Sequence, residues 1–346
     1  MRTHNTPSIS ALTPFLPAPL RPHLTSTTTL ATLWSNYGHI HSLTLSTSPH
    51  HLILKHISPP PPTSASSESH LRKLLSYRIE RFFYKHLSTL VPLTSKIAVS
   101  YPVAPEYQHE AFLLEDLSRE FPRSAGGMGF DQARVVVKWL AGFHAAFWGW
   151  EGVAVGSPLS VVDPEHTEGV WRQGGYWYLD TRREELEGMV EAGEYGWLEP
   201  WVETAQDMLR KEDVPGRTLV HGDLKAANVL FDEDWKRCAV YDFQYVGKGL
   251  GVMDLVYFLG TSVGRQVMKD EAQVERLLEE YYVELERRVG DGLGRYTREV
   301  MMSQLEIAMV DWFRFMAGWG FWGNGWVSEK RVRDIVEKLA QGEVFI

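Results

Sequence analysis

The hydrophobic positions of this chain repeat at strand spacing near its start and at helix spacing afterwards. Runs rich in β-formers occupy residues 42–47 and 51–57, and Ser48-Pro49-His50 between them predicts a hairpin turn. In the second run Ile53, Lys55 and Ile57 share one face, because side chains alternate along a strand. Residues 58–69, with consecutive prolines and several serines, predict a loop. Leu71, Leu74, Leu75, Ile79, Phe82, Phe83 and Leu87 then follow helical spacing. A short strand over 111–114 leads into Glu115-Asp116-Leu117. Further on, the pattern predicts helices over 131–148, with Asp131 as N-cap, and over 202–211, 253–263, 271–289, 297–319 and 329–340. Short strands over 219–221 and 239–241 flank a polar loop, and 150–200 is less regular and rich in Trp, Tyr and Gly.

Strands first and helices later, with a break near residue 117, predict an α+β chain of two lobes. A small β-rich N-lobe is expected over 29–117 and a larger, mainly helical C-lobe over 118–346, with an insertion at about 150–200. Residues 1–28 are expected to form a flexible arm.

Composition narrows this picture. Hydrophobic content of 44% and charged content of 23% are those of an ordinary globular chain. The longest apolar candidate, 305–326, is interrupted by Glu306, Asp311 and Arg314, so no membrane span is expected. A net charge of −9 argues against nucleic acid as a partner. The lone Cys238 excludes an intramolecular disulfide and a thiolate metal cluster, which fits a reducing, cytoplasmic location. No Asp or Glu precedes Glu68, so a mitochondrial transit peptide is the alternative. Few basic residues and Pro14, Pro17, Pro19 and Pro22 oppose the amphipathic helix such a peptide needs. No obligate protein partner is evident.

The chemistry-bearing segment is Val220-His221-Gly222-Asp223-Leu224-Lys225-Ala226-Ala227-Asn228-Val229-Leu230-Phe231, followed by Val240-Tyr241-Asp242-Phe243-Gln244. Phosphoryl transfer from ATP needs one carboxylate to orient the acceptor hydroxyl and take its proton, and further oxygens to hold Mg²⁺ on the phosphates. Mg²⁺ takes hard oxygen ligands and keeps several waters, so one Asp and one Asn suffice from the protein. Asp223, Asn228 and Asp242 supply these groups in that order on a loop and after a strand.

His-Gly-Asp-x-x-x-x-Asn with a following Asp-Phe resembles the catalytic core of the aminoglycoside phosphotransferase and choline kinase branch of the kinase-like superfamily. Asp-Phe-Gln is most similar to the ecdysteroid kinase-like group, also called CHK kinase-like. The resemblance covers roughly 29–342 and implies a bilobal protein-kinase-like fold and an ATP- and Mg²⁺-dependent phosphotransferase acting on a small hydroxylated molecule. It implies Asp223 as catalytic base and Asn228 and Asp242 as Mg²⁺ ligands, while Lys225 matches a position that touches the γ-phosphate.

Such a core needs a phosphate-binding lysine and a glutamate to position it. Lys55 is the only lysine before Lys73, and Glu80 is the only carboxylate between Ser69 and Pro105. A nucleotide lid is expected at Ser35-Asn36-Tyr37-Gly38-His39-Ile40, whose backbone amides would face the phosphates. Glu115-Asp116-Leu117 resembles the hinge whose backbone holds adenine, although a plain strand-end loop fits the same residues.

A protein kinase needs a long peptide-docking segment after its metal-binding Asp, usually ending in Ala-Pro-Glu. Only 243–253 separates Asp242 from the helix that begins near Asp254, so the expected acceptor is small. Asp254 either braces the catalytic loop or caps its own helix. His144 and His221 are expected to serve through hydrogen bonds rather than proton exchange. Trp177 in the insertion, and Asp311, Trp312 and Trp319 on the 297–319 helix, are candidates for an acceptor wall that would suit a cationic or hydroxylated molecule. Core packing of the rings and an Asp311–Arg314 salt bridge are the plainer reading. A nucleotide-binding pseudokinase scaffold, motivated by the single-glycine lid and Gln244, is the alternative function, and an unusual protein kinase the remaining one.

Overall fold

A computed structural model describes residues 7–60, 68–161 and 167–342. The small lobe is a five-stranded antiparallel sheet of β1 (Leu24–Thr32), β2 (Gly38–Leu45), β3 (His51–Ile57), β4 (Ser100–Tyr101) and β5 (Ala111–Glu115), ordered β1-β2-β3-β5-β4. Helix α1 (Glu68–Phe82) crosses between β3 and β4 and continues as a wider turn over Phe83–Leu87. The expected hairpin over 42–57 is present, but β2 starts earlier than its β-rich run. Strand β1 was not expected at all; its Thr-rich sequence pairs along β2 from Leu24 to Thr32. Of the proline-rich loop over 58–69, residues 61–67 lie outside the described residues.

Period-two alternation gives this sheet two apolar faces. His41, Leu43, Leu52, Leu54 and Leu113 meet on one face through direct cross-strand register. Lys55 pairs with Ile40 and Phe112 on the other, which faces α1. The first face explains a correction to the expected arm. From Ser8 onward the segment is folded across that face, burying Leu12, Phe15 and Leu16 against Leu24, Leu43, Leu45, Leu52, Leu54 and Leu113. Each such burial contributes about 1.5–3 kcal/mol, and the segment's prolines lower the entropy lost on ordering it because they already fix φ. Pro14 and Pro22 open single 3₁₀ turns, and Arg21 ties the segment down through the Leu16 carbonyl at 2.8 Å and Glu106 at 3.0 Å.

The larger lobe is built on α2 (Phe130–Ala146), α3 (Arg183–Ala192), α4 (Glu199–Arg210), α5 (Val252–Ser262), α6 (Glu271–Val289), α7 (Arg298–Trp319) and α8 (Glu329–Ala340). Asp131 is not the N-cap of α2. Gly129 occupies that position, and its amide donates to Gln132 Oε1 at 2.9 Å. Two short antiparallel pairs carry the polar loop: β6 (Arg217–Val220) with β9 (Gly247–Leu250), and β7 (Val229–Phe231) with β8 (Cys238–Val240). The insertion is more regular than its composition suggests. It contributes α3, and its Trp171, Trp177 and Tyr178 are buried. No helix among the described residues is long and apolar enough to cross a membrane.

Candidate active site

The polar loop leaves β6 through Gly222, which adopts φ 80°. A side chain there would sit 2.2 Å from the Tyr245 carbonyl oxygen, so only glycine fits both the turn and the space. The loop is held from beneath by Asp254, fully buried on α5. Its carboxylate accepts from the amides of His221 at 2.6 Å and Gly222 at 2.9 Å, and from His144 Nε2 at 3.2 Å. Gly251, not Asp254, is the N-cap of α5, so the bracing reading of Asp254 is the one the geometry supports. His144 satisfies its second nitrogen on the Tyr281 hydroxyl at 2.8 Å, as expected of a core histidine.

His221 orders the loop from within. Its Nδ1 accepts from the Asp223 amide at 3.2 Å, which leaves the proton on Nε2 to donate to the Tyr241 carbonyl at 3.1 Å. Complete burial holds its pKa below the usual imidazole value. Asn228 turns its amide nitrogen to the Asp223 carbonyl at 2.9 Å, which directs its side-chain oxygen the other way.

Asp223 is buried beside these groups. Lys225 Nζ lies 3.0 and 2.8 Å from its two carboxylate oxygens, and the Tyr257 hydroxyl donates to Oδ1 at 2.8 Å. Burial pushes the Asp223 carboxyl above its ordinary value, and Lys225 only partly offsets this. Asp242 follows β8 with a left-handed backbone, φ 72°, a conformation that short polar residues tolerate better than others. Burial would raise its pKa, but the Lys55 ammonium at 3.0 Å outweighs that and holds it below the usual range.

Lys55 itself is buried on β3 between Asp242 and Glu80 Oε2, the latter at 2.7 Å. Burial disfavours its charge, yet Asp242 and Glu80 together keep its pKa above the ordinary ammonium value. Burial likewise pushes the Glu80 carboxyl up. The carboxylates read from the sequence therefore meet at one seam: Lys55 from the sheet and Glu80 from α1 reach Asp242, whose strand neighbour Tyr241 donates its amide to the Asn228 carbonyl at 3.2 Å.

The segment expected to form a lid is the loop between β1 and β2. Ser35 and Asn36 have φ of 56° and 61°, and Gly38 has φ 138°, where a side chain would lie 2.0 Å from the His56 carbonyl oxygen. Tyr37 is buried, with its hydroxyl 2.5 Å from His70 Nδ1, and Lys73 lies 4.9 Å from its ring centre. Glu115 ends β5 and spends its side chain on Lys96 at 2.7 Å; Leu117 is buried just beyond it.

The proposed acceptor wall is mostly core. Asp311, Trp312 and Trp177 are 2%, 1% and 2% exposed, and of the three only Trp312 borders a cavity, beside Met316, Phe321 and Trp322. Asp311 is spent on Arg314 at 2.6 Å, and Arg314 also donates to the Trp177 carbonyl at 2.9 Å. That is the plainer salt-bridge reading, imposed by a helix that is buried nearly all round. Trp319 alone of the four is exposed, with the Arg182 guanidinium 5.2 Å from its ring centre. Sequence reasoning missed Tyr257. The available signal was its placement three residues after Asp254, one turn along the same helix.

Between Asp242 and α5 there is only a turn and β9, which leaves no peptide-docking segment. Lobes of this construction, with this loop between them, define a small-molecule kinase of protein-kinase-like fold. The sequence model of the phosphotransferase enzyme family matches residues 43–293, and the chain belongs to that family. Among solved structures, the choline kinase of Cryptosporidium parvum superposes with a TM-score of 0.56 at 10% identity, covering 97% of this chain and 96% of that one. The ethanolamine kinase of Plasmodium vivax gives 0.50 at 11% identity, covering 92% and 84%. At such identities the likeness speaks for the fold. No curated protein matches the chain.

Proposed function

We propose that this phosphotransferase moves the γ-phosphate of ATP to a hydroxyl of a small molecule, with Asp223 as the base. The observation that carries the reading is the pairing of Lys55 with both Glu80 and Asp242, beside a loop that holds Asp223 and Asn228 ready. Asp223 accepts the proton of the acceptor hydroxyl, and its raised pKa strengthens it as a base. Lys225 shifts from Asp223 to the γ-phosphate as negative charge gathers there, and Lys55, set by Glu80, holds the inner phosphates. The β1–β2 loop covers the nucleotide, and the Glu115–Leu117 backbone receives adenine.

The donor set fits Mg²⁺. Asp242 keeps a carboxylate oxygen beyond its bond to Lys55, and Asn228 presents a carbonyl oxygen because its nitrogen is committed elsewhere. Mg²⁺ takes most of its ligands from phosphate and water, so these two side chains suffice from the protein. Mg²⁺ held by Asn228 and Asp242 would neutralise charge on the transferring phosphate. Asp-Phe-Gln supports the finer affiliation with the ecdysteroid kinase-like group.

The test is nucleotide binding followed by turnover. Wild-type protein should show a thermal shift with Mg·ATP, and a metabolite extract should accept phosphate from labelled ATP. Asp223→Asn should abolish transfer and retain Mg·ATP binding, whereas Asp242→Ala should lose the Mg²⁺-dependent part of binding. Absence of any Mg·ATP shift in the wild type refutes the proposal. Binding without turnover across a broad acceptor panel would instead favour the nucleotide-binding scaffold.

A further inference from the structure

We infer that Tyr257 is a positioning residue for the transfer, holding the Asp223 carboxylate in one orientation so that Oδ2 is the oxygen presented to the acceptor hydroxyl. The inference rests on the reading of Asp223 as the base. Tyr257 lies on α5, one turn beyond Asp254. The helix that clamps the backbone of His221 and Gly222 therefore also reaches the side chain of the next residue in the loop.

The tyrosine cannot swing away. Its ring is stacked on Trp177, with centroids 4.9 Å apart and planes at 28°, and lies edge-on to Trp312 at 5.0 Å, Tyr176 at 5.7 Å and Trp322 at 5.9 Å. A carboxylate by itself turns freely, because the last torsion of an Asp side chain is broad. The 2.8 Å bond from a packed hydroxyl removes that freedom before substrate arrives.

The two oxygens of Asp223 are then unequal. Oδ1 is held by Tyr257. Oδ2 touches Lys225 at 2.8 Å, and Asn228 only at 3.5 Å. Lys225 is a flexible side chain, 34% exposed, and can leave for a phosphate; Tyr257 cannot follow. The rest of α5 also makes the hydroxyl conspicuous. Val256, Phe258 and Leu259 are core, and a phenol buried among them without a partner would be costly. It donates to Asp223, with the Tyr176 side chain as its hydrogen-bonding neighbour. Trp177 and Trp312, both buried, thereby acquire a role as the backing of Tyr257.

Tyr257→Phe keeps the ring and deletes one donor. In the full chain, with water as the acceptor, kcat for Mg·ATP hydrolysis should fall about 10–100-fold while Kd for Mg·ATP stays within about twofold. In thermal melts Tyr257→Phe should lower Tm in the wild-type background but not beside Asp223→Ala, where no carboxylate remains to be held. Trp177→Phe, which loosens the stack, should lower kcat in the same direction with unchanged Mg·ATP affinity, and it decides the matter if Tyr257→Phe fails to fold. Hydrolysis within about twofold of wild type in the variants, or equal Tm shifts in both backgrounds, overturns the inference. A wild type that binds no Mg·ATP would sink the phosphotransfer reading instead, and the melting cycle would still decide whether Tyr257 serves Asp223.

Discussion

Asp254→Asn separates a loop brace from a helix cap, because Asn caps helices as well as Asp does. In the present geometry three N–H groups converge on one fully buried carboxylate, from His221 at 2.6 Å, Gly222 at 2.9 Å and His144 at 3.2 Å. An amide offers one oxygen and turns two hydrogens toward the remaining donors. A hydrogen bond to a charged group contributes about 1.5–3 kcal/mol, and a buried donor left without a partner costs about 1–3 kcal/mol. The substitution should therefore cost about 3–5 kcal/mol in total. At about 2.1 cal/mol/K per residue, 346 residues have an unfolding entropy near 0.7 kcal/mol/K, so Tm should fall by about 4–7 °C. The loop carrying Asp223 and Asn228 would lose its anchor as well, so phosphoryl transfer should drop more than about tenfold. The assay is a thermal melt with and without Mg·ATP, followed by turnover. A Tm within about 1 °C of wild type and unchanged Mg·ATP affinity would refute the argument, since that is what a mere cap predicts.

Glu80→Gln removes the charge that sets Lys55 from the α1 side, and Mg·ATP affinity should weaken about tenfold, measured by calorimetry. Asp311→Ala leaves the Arg314 guanidinium buried and unpaired, so stability should fall by about 3–5 kcal/mol in denaturant titration. Replacing both residues by Leu and Met should recover most of that loss, because Arg314 Nε, Arg314 Nη1 and Asp311 Oδ2 have no hydrogen-bond partner among the described residues. His41, buried in the sheet with its Nδ1 3.1 Å from Thr29 Oγ1, has its pKa lowered to about 4, first by burial and then by His39 and His56. The unfolded chain binds the extra proton near pH 6.5, so the His41 contribution is complete above that pH. It is lost as pH falls toward 4, by up to about 3 kcal/mol. His41→Gln should flatten this limb of the urea midpoint against pH; an unchanged slope would count against it.

The site was legible where its chemistry is local. Asp223, Lys225 and Asn228 lie on one loop, so their spacing alone fixes their company. Lys55 and Glu80 could be named because the small lobe offers almost no other lysine or carboxylate at the right place. What escaped was decided by distant contacts. Residues 8–28 read as an arm because they are rich in Pro, Ser and Thr; the apolar sheet face that captures Leu12, Phe15 and Leu16 is assembled from three other strands. Trp177, Asp311 and Trp312 looked suited to a pocket, yet aromatic residues at helical spacing on α7 face a second aromatic layer from the insertion. Tyr257 carried no motif, since its partner is set by how α5 lies under the loop.

Gln244 raised the question of lost function, and α1 supplies an answer in its spacing. Arg72, Ser76, Glu80 and Phe83 recur at three or four residues and so share one face of the helix. Along that face Arg72 donates to the Thr181 carbonyl of the insertion at 2.7 Å, and the Ser76 hydroxyl lies 3.3 Å from Gln244 Oε1. Glu80 holds Lys55, and Phe83 stacks on Phe243 at 4.0 Å and 15°. One helix face thus engages three consecutive residues, Asp242 through Lys55, then Phe243, then Gln244. A glycine at 244 would offer no side chain to that stripe, whereas glutamine adds a contact with α1 next to the carboxylate assigned to the metal. Gln244 therefore does not separate an idle scaffold from a working enzyme. It is a fixed connection between Asp242 and the helix that carries Glu80, and the turnover of Gln244→Gly against wild type would measure what that connection contributes.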